Sequence, residues 1–205
     1  SRAELDEIDA TIAEHPQSVQ VGFNRRFAPA FAAAKNAVTS GELGWLHTVR
    51  STTLDPAPPP MDYVAVSGGI FRDCSVHDFD TVRWIVGREV VEVYAAGSNQ
   101  GDPAFAAAGD VDTATTTLTF DNGTIGVVSN TRYNARGYDC RLEVHGSEDA
   151  VVAGWDEQVP VRNLETGATF PTGTPHSFFM DRFASAYQLE LGAFVDVVEG
   201  RLASP

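Results

Sequence analysis

Thr113-Ala114-Thr115-Thr116-Thr117-Leu118-Thr119-Phe120-Asp121-Asn122-Gly123-Thr124-Ile125-Gly126-Val127-Val128-Ser129-Asn130-Thr131-Arg132 reads as two strands and the turn between them. A period of two sets Ala114, Thr116, Leu118 and Phe120 on one side and Thr113, Thr115, Thr117 and Thr119 on the other. Asn122-Gly123 tolerates positive φ, so the spacing predicts a hairpin. The first set is apolar enough to lie under helices. The second is a threonine ladder without a charge, suited to packing sheet on sheet against a second copy of the chain. The plainer explanation of that ladder is the strand propensity of threonine.

Outward from the hairpin the pattern repeats. Downstream, strands are expected at Arg141 to His145, Ala150 to Ala153 and Val159 to Leu164. Upstream, from Glu89, Val91, Val93 and Ala95 alternate with Val90, Glu92 and Tyr94, so Val91 and Val93 share a face with no charge between them on it, a second low-charge patch. Trp45 to Thr53 suggests a strand closed by the stiff Asp55-Pro56-Ala57-Pro58-Pro59-Pro60. Val19, Val21 and Phe23 alternate like a shorter one. Helical spacing joins Leu5, Ile8 and Ile12 ahead of Pro16. It recurs at Phe31, Ala34 and Val38, between Pro29 and Gly41, and at Phe79, Val82, Ile85 and Val86, ended by Gly87. A last helix over Met180 to Glu199 would turn Phe183, Tyr187, Leu191, Phe194 and Val198 to one side. Gly101 to Gly109 is expected to be a loop. The class is α+β, an open, mostly antiparallel sheet with helices on one face.

With 205 residues there is room for one sizeable core and a fragment of another domain. A net charge of -14 argues against nucleic acid or an anionic membrane as partner. No stretch has the length and apolarity of a membrane span, and the start has no signal-peptide pattern. Cys74 and Cys140 make neither a metal spacing nor a disulfide framework, so a reducing cytoplasm is expected, with a single Cys74–Cys140 disulfide as the alternative. Lys35 is the only lysine.

The chemistry concentrates in Gly68-Gly69-Ile70-Phe71-Arg72-Asp73-Cys74-Ser75-Val76-His77-Asp78-Phe79-Asp80. Two glycines permit a tight entry into a helix. Asp73 and His77 are four apart, which on a helix places both on one face. The imidazole can take a hydroxyl proton near neutral pH, and the carboxylate can orient it or bind the same substrate. Structural readings stay open beside this one. Asp73 could cap the helix, Asp78 and Asp80 could complement its positive end, and His77 could be a satisfied core histidine. His77, Asp78 and Asp80 point in different directions on a helix and make a poor metal set.

This segment resembles the catalytic helix of the glucose–fructose oxidoreductase/inositol dehydrogenase/MocA (Gfo/Idh/MocA) family. Val19-Gln20-Val21-Gly22-Phe23-Asn24-Arg25-Arg26-Phe27 is similar to that family's junction between domains. Tyr138-Asp139-Cys140-Arg141-Leu142-Glu143-Val144-His145-Gly146 is similar to its sheet strand near the substrate. The resemblance, greatest to the inositol 2-dehydrogenase branch, implies a two-domain oxidoreductase. Its Rossmann domain would bind NAD or NADP, and its C-terminal α+β domain would take a cyclic polyol or sugar and form homo-oligomers. Asp73 and His77 would be catalytic, acting with a lysine from a Glu-Lys-Pro motif. Asn24, Arg25, Asp55 and Tyr138 would bind substrate.

The chain also departs from that pattern. It contains no Gly-x-Gly-x-x-Gly and no Glu-Lys-Pro, so no cofactor-binding residue is expected within it. The family pattern places the missing lysine just before Ser1 and a further helix after Pro205. Residues 1–23 are therefore expected to be the last helix and strand of a Rossmann domain, and residues 24–205 the substrate and oligomerisation domain. The reading from a different class is a non-catalytic sugar-binding or dimerisation module.

Overall fold

The computed structural model describes residues 2–14 and 19–203; Ser1, Pro16, Ser204 and Pro205 lie outside the described residues. The order is α1 (Arg2–Ala13), a 3-10 turn (Asn24–Phe27), α2 (Pro29–Thr39), β1 (Leu46–Leu54), α3 (Met61–Ser67), α4 (Ile70–Asp73), α5 (Ser75–Val86) and β2 (Val90–Ser98). Then come α6 (Ala104–Ala107), β3 (Thr113–Phe120), β4 (Ile125–Thr131), β5 (Asp139–Gly146), β6 (Ala150–Ala153), α7 (Phe179–Arg182) and α8 (Ala184–Val198).

Six strands form one sheet in the order β2-β3-β4-β1-β5-β6. Only β1 and β4 run parallel; every other pair is antiparallel. The hairpin places Ala114, Thr116, Leu118 and Phe120 in the buried face and leaves Thr115 exposed opposite them. Val49 of β1, Val128 of β4, and Leu142 and Val144 of β5 continue that buried face. Phe31 of α2, Val82 and Ile85 of α5, and Phe183 close over it as one core. Lys35 holds the far end of α5, donating from Nζ to the carbonyl of Trp84 at 2.7 Å, where a cation complements the helix terminus.

Several expectations fail for physical reasons. Residues 19–23 are not a strand: among the described residues no neighbouring strand fills their backbone hydrogen bonds, and the Phe23 N–H turns back to the Val21 carbonyl at 2.9 Å. Val159 to Leu164 likewise has no strand partner among the described residues, and only the Val159 end is buried, Leu164 being 82% exposed. Gly101 to Gly109 contains α6, pinned by the fully buried Phe105. The helix α3 is too short for its periodicity to be read. The last helix is two pieces, and its buried line is Phe183, Ala186, Glu190 and Val197, with Leu191 and Val198 exposed. Phe183 and Tyr187 face the core as expected, but the helix is apolar around most of its girth, so the pattern alone misplaced Leu191 and Val198. Cys74 and Cys140 are both free and buried.

The outer sheet face is also less uniform than the hairpin suggests. Arg50 and Glu143 pair across β1 and β5 at 3.2 Å, and His145 approaches the same carboxylate at 3.3 Å. Val93 lies in register with Leu118 and so belongs to the helix side, while Val91 falls at a register shift. They add no second patch to the threonine face.

Candidate active site

Strand register assembles the floor of the site. Leu54 pairs with Thr131 of β4 and with Asp139 of β5. The next residues in line, Asp55, Arg132 and Tyr138, therefore meet at one end of the sheet, under a cavity of about 710 Å³. The 3-10 turn brings Asn24 and Arg25 to it, and the segment around Cys74 brings Asp73 and His77. Pro56 to Pro60 form a strap on one side; Phe178, Phe179, Phe183 and Tyr187 form an aromatic wall. All six sequence-derived candidates, Asn24, Arg25, Asp55, Asp73, His77 and Tyr138, line this one cavity.

The segment around Cys74 is not a continuous helix. The chain leaves α3 through Gly68 and Gly69, both at positive φ. A Cβ on Gly69 would lie 2.9 Å from Asp110 Oδ1, the oxygen that accepts the Ile70 N–H at 2.9 Å and starts α4. The backbone breaks at Cys74 (φ -105°, ψ -59°) before α5 begins, and Ser75 Oγ donates to Asn130 Oδ1 of β4 at 2.6 Å. Asp73 and His77 are thus presented from either side of a break. No side-chain cap hydrogen bond starts either helix, so Asp73 is not a cap.

Asp78, one residue on from His77, anchors the site from beneath. Its side chain is fully buried and accepts four donors: Arg25 Nη1 at 2.7 Å, Ser51 Oγ at 2.5 Å, Thr53 Oγ1 at 2.8 Å and Asn130 Nδ2 at 2.8 Å. Burial works against the Arg25 charge, but Asp78 beside it prevails and raises the guanidinium pKa well above its usual value. Arg25 borders the cavity with both Nη atoms committed, Nη2 to Thr53 at 2.9 Å. Asp80 is taken by Arg26, Nε to Oδ2 at 2.9 Å.

His77 is different: neither ring nitrogen has a hydrogen bond to a described residue, and its Nδ1 is buried. Phe23 meets the ring edge-on, with centroids 6.2 Å apart. Burial first, and Arg25 second, push the imidazole pKa below its ordinary 6.5, which favours the neutral, proton-accepting form. Asp73 makes no bond to His77. One of its oxygens accepts Arg132 Nη2 and the other the Tyr63 hydroxyl. Asp55 Oδ2 accepts Arg132 Nη1 at 2.8 Å; burial raises the Asp55 pKa and the bond from Arg132 opposes that. Burial also drives the Tyr138 phenol well up, so it stays protonated. Lys35 lies on α2 and does not border the cavity.

Arg132, Tyr63 and the aromatic wall were not singled out from the sequence. Arg132 falls one residue past a strand, and Tyr63 lies in a helix that the pattern did not reveal. The pair Phe178-Phe179 ahead of a helical pattern was the one available signal, and it reads equally as core.

The model of the GFO/IDH/MocA C-terminal domain matches residues 31–152. The chain belongs to the GFO/IDH/MocA family. Within it, the chain is 42% identical over 202 residues to a myo-inositol 2-dehydrogenase of Thermotoga maritima, covering 95% of this chain and 59% of that protein. It is 40% identical over 189 residues to an inositol 2-dehydrogenase of Rhizobium meliloti, covering 92% and 57%. Among solved structures, a myo-inositol dehydrogenase from Corynebacterium glutamicum superposes with a TM-score of 0.83 at 37% identity, over 95% of this chain and 58% of that one. A scyllo-inositol dehydrogenase from Lactobacillus casei with bound NAD(H) and scyllo-inositol gives 0.78 at 29% identity, over 97% and 60%. The chain thus spans about three-fifths of the length of these GFO/IDH/MocA relatives.

Asp78→Ala should destabilise the domain by about 3–5 kcal/mol, because it strands the Arg25 charge in the interior. Tyr63→Phe, at a residue 46% exposed, should cost less than about 1 kcal/mol. Urea denaturation followed by circular dichroism measures both, and equal losses would contradict the ranking.

Proposed function

We propose that this chain is the substrate-handling part of a dehydrogenase that oxidises a hydroxyl of a ring polyol of the inositol kind. In this reading NAD or NADP accepts the hydride, residues 1–23 belong to a neighbouring nucleotide-binding domain, and residues 24–205 form the substrate and oligomerisation domain of a cytoplasmic enzyme. The observation that carries it is His77, a neutral imidazole with no hydrogen bond to its ring, facing a cavity that also holds Asn24, Asp55 and Asp73. A histidine serving only the core would have its ring nitrogens satisfied. The inositol-dehydrogenase names of the relatives and the amphipathic cavity, polar on one side and aromatic on the other, support the substrate class.

The residues present do not fit a dinucleotide. The chain has no Gly-x-Gly-x-x-Gly, and among the described residues no glycine-rich turn leads from a strand into a long helix. The chain's own residues therefore handle the polyol and its proton. His77 accepts the hydroxyl proton, directly or through a lysine supplied elsewhere in the enzyme. Asp73 and Asp55 accept neighbouring hydroxyls, Asn24 donates or accepts beside them, and the aromatic wall excludes water.

In the whole enzyme, His77→Ala should lower kcat by about 100- to 10,000-fold with little change in cofactor affinity. Because the imidazole pKa is depressed, His77 stays neutral at pH 7. It gains a proton only below its ordinary 6.5, so the wild-type rate should fall on the acid side with a midpoint under that value. Near-normal turnover of His77→Ala across pH would make the histidine structural.

The 205-residue chain alone should show no saturable micromolar binding of NADH in a fluorescence titration. Such binding would place a cofactor site within it.

The threonine face is the surface we assign to self-association. Thr113 and Thr131 bond across it at 2.9 Å, and Thr115 and Thr117 stand on it without charge. Sedimentation equilibrium should find a dimer or larger assembly at tens of micromolar, lost in Thr115→Lys with Thr117→Lys. A wild-type monomer, or lysine variants that still associate, would remove the assignment.

A further inference from the structure

Arg132 follows β4 by one residue and is 6% exposed. Its backbone N–H is fixed to the Asp112 carbonyl at 2.8 Å, so the side chain starts from a rigid position. From there the guanidinium forks. Nη1 reaches Asp55 Oδ2 at 2.8 Å, and Nη2 reaches Asp73 Oδ2. Asp55 is held just as firmly, its N–H donating to the Thr131 carbonyl at 2.9 Å and its carbonyl accepting the Asn134 N–H at 2.7 Å. Two carboxylates, one from the end of β1 and one from the end of α4, thus border one cavity with a single cation between them.

Without that cation the two acids would repel, and one of them would take up a proton or swing away. Arg132 lends each acid only one N–H and engages only one oxygen of each. Asp55 Oδ1 has no hydrogen bond to a described residue, and Asp73 Oδ1 meets the hydroxyl of the half-exposed Tyr63, which a ligand hydroxyl can replace. Lysine could not reproduce this, because an ammonium is a point charge and lacks the planar fork.

Resting on the polyol reading above, we propose that Arg132 is a positioning residue, holding Asp55 and Asp73 side by side as paired acceptors for two hydroxyls of one substrate. Its charge is what the site uses, and its partners are the two acids rather than the substrate.

The test uses Arg132→Met, Arg132→Lys and the double variant Arg132→Met with Asp55→Asn. In the whole enzyme with myo-inositol, Arg132→Met should lower kcat/KM by about 100-fold, since displaced positioning groups act on that scale. A rise in KM should carry much of that loss, and the KM for cofactor should be unchanged. Arg132→Lys should recover only part. In the 205-residue chain, Arg132→Met should lower Tm, and adding Asp55→Asn should restore most of the loss by removing the repulsion. Packing alone would give no such rescue. An active, folded Arg132→Met enzyme with wild-type KM would overturn the proposal, as would a double variant no more stable than the single one. If wild type oxidises no polyol, the polyol reading fails, and the Tm rescue then judges the clamp by itself.

Discussion

A charge sits in the middle of this protein, and the interior is arranged to answer it. Asp78 is fully buried on the sheet-facing side of α5. An unpaired carboxylate there would carry a large desolvation cost. Arg25 neutralises it from the 3-10 turn, while Ser51 and Thr53 of β1 and Asn130 of β4 complete its hydrogen bonds. This one acceptor ties together four separate stretches of chain. It also explains why the otherwise apolar inner face turns polar near one end of the sheet. The apolar half of that face packs the core, and the polar half is the underside of the cavity.

The division of labour among neighbouring acids follows from that arrangement. Asp78 and Asp80 are consumed by Arg25 and Arg26, and neither is available to a ligand. His77 directly precedes Asp78 in sequence, yet its ring has no hydrogen bond to a described residue and meets Phe23 edge-on instead. Asp73, across the break at Cys74, belongs electrostatically to Arg132 and Asp55 instead. Cavity-lining and structural groups therefore alternate along a few residues without sharing hydrogen bonds.

Much of the architecture was legible where a local rule is strong. The period-two run of Thr113 to Phe120 and the Asn-Gly turn specify a hairpin and its buried side by themselves. Alternation at Val19 to Phe23 and at Val159 to Leu164 was misleading, because a strand exists only with a neighbour to pair with, and no window of sequence contains the neighbour. The motif from Gly68 to Asp80 brought Asp73 and His77 to attention, and both border the cavity. The commitment of Arg25 to Asp78 was hidden, since their separation is 53 residues. Arg132 was hidden for the same reason, with partners 77 and 59 residues away.

Those separations also bear on how the molecule comes into being. The strand β1 lies between β4 and β5, pairing Thr53 with Asn130 on one side and with Cys140 on the other. Its insertion closes loops that span much of the chain, and such distant pairings are slow to form compared with a local hairpin. The hairpin of β3 and β4 can form early; the floor of the cavity exists only after β1 has been inserted beside it. Asp55, Arg132 and Tyr138 consequently become neighbours at a late step of assembly. A small molecule bound among them would engage only chains that have completed that step, and would draw the population toward the finished fold by mass action.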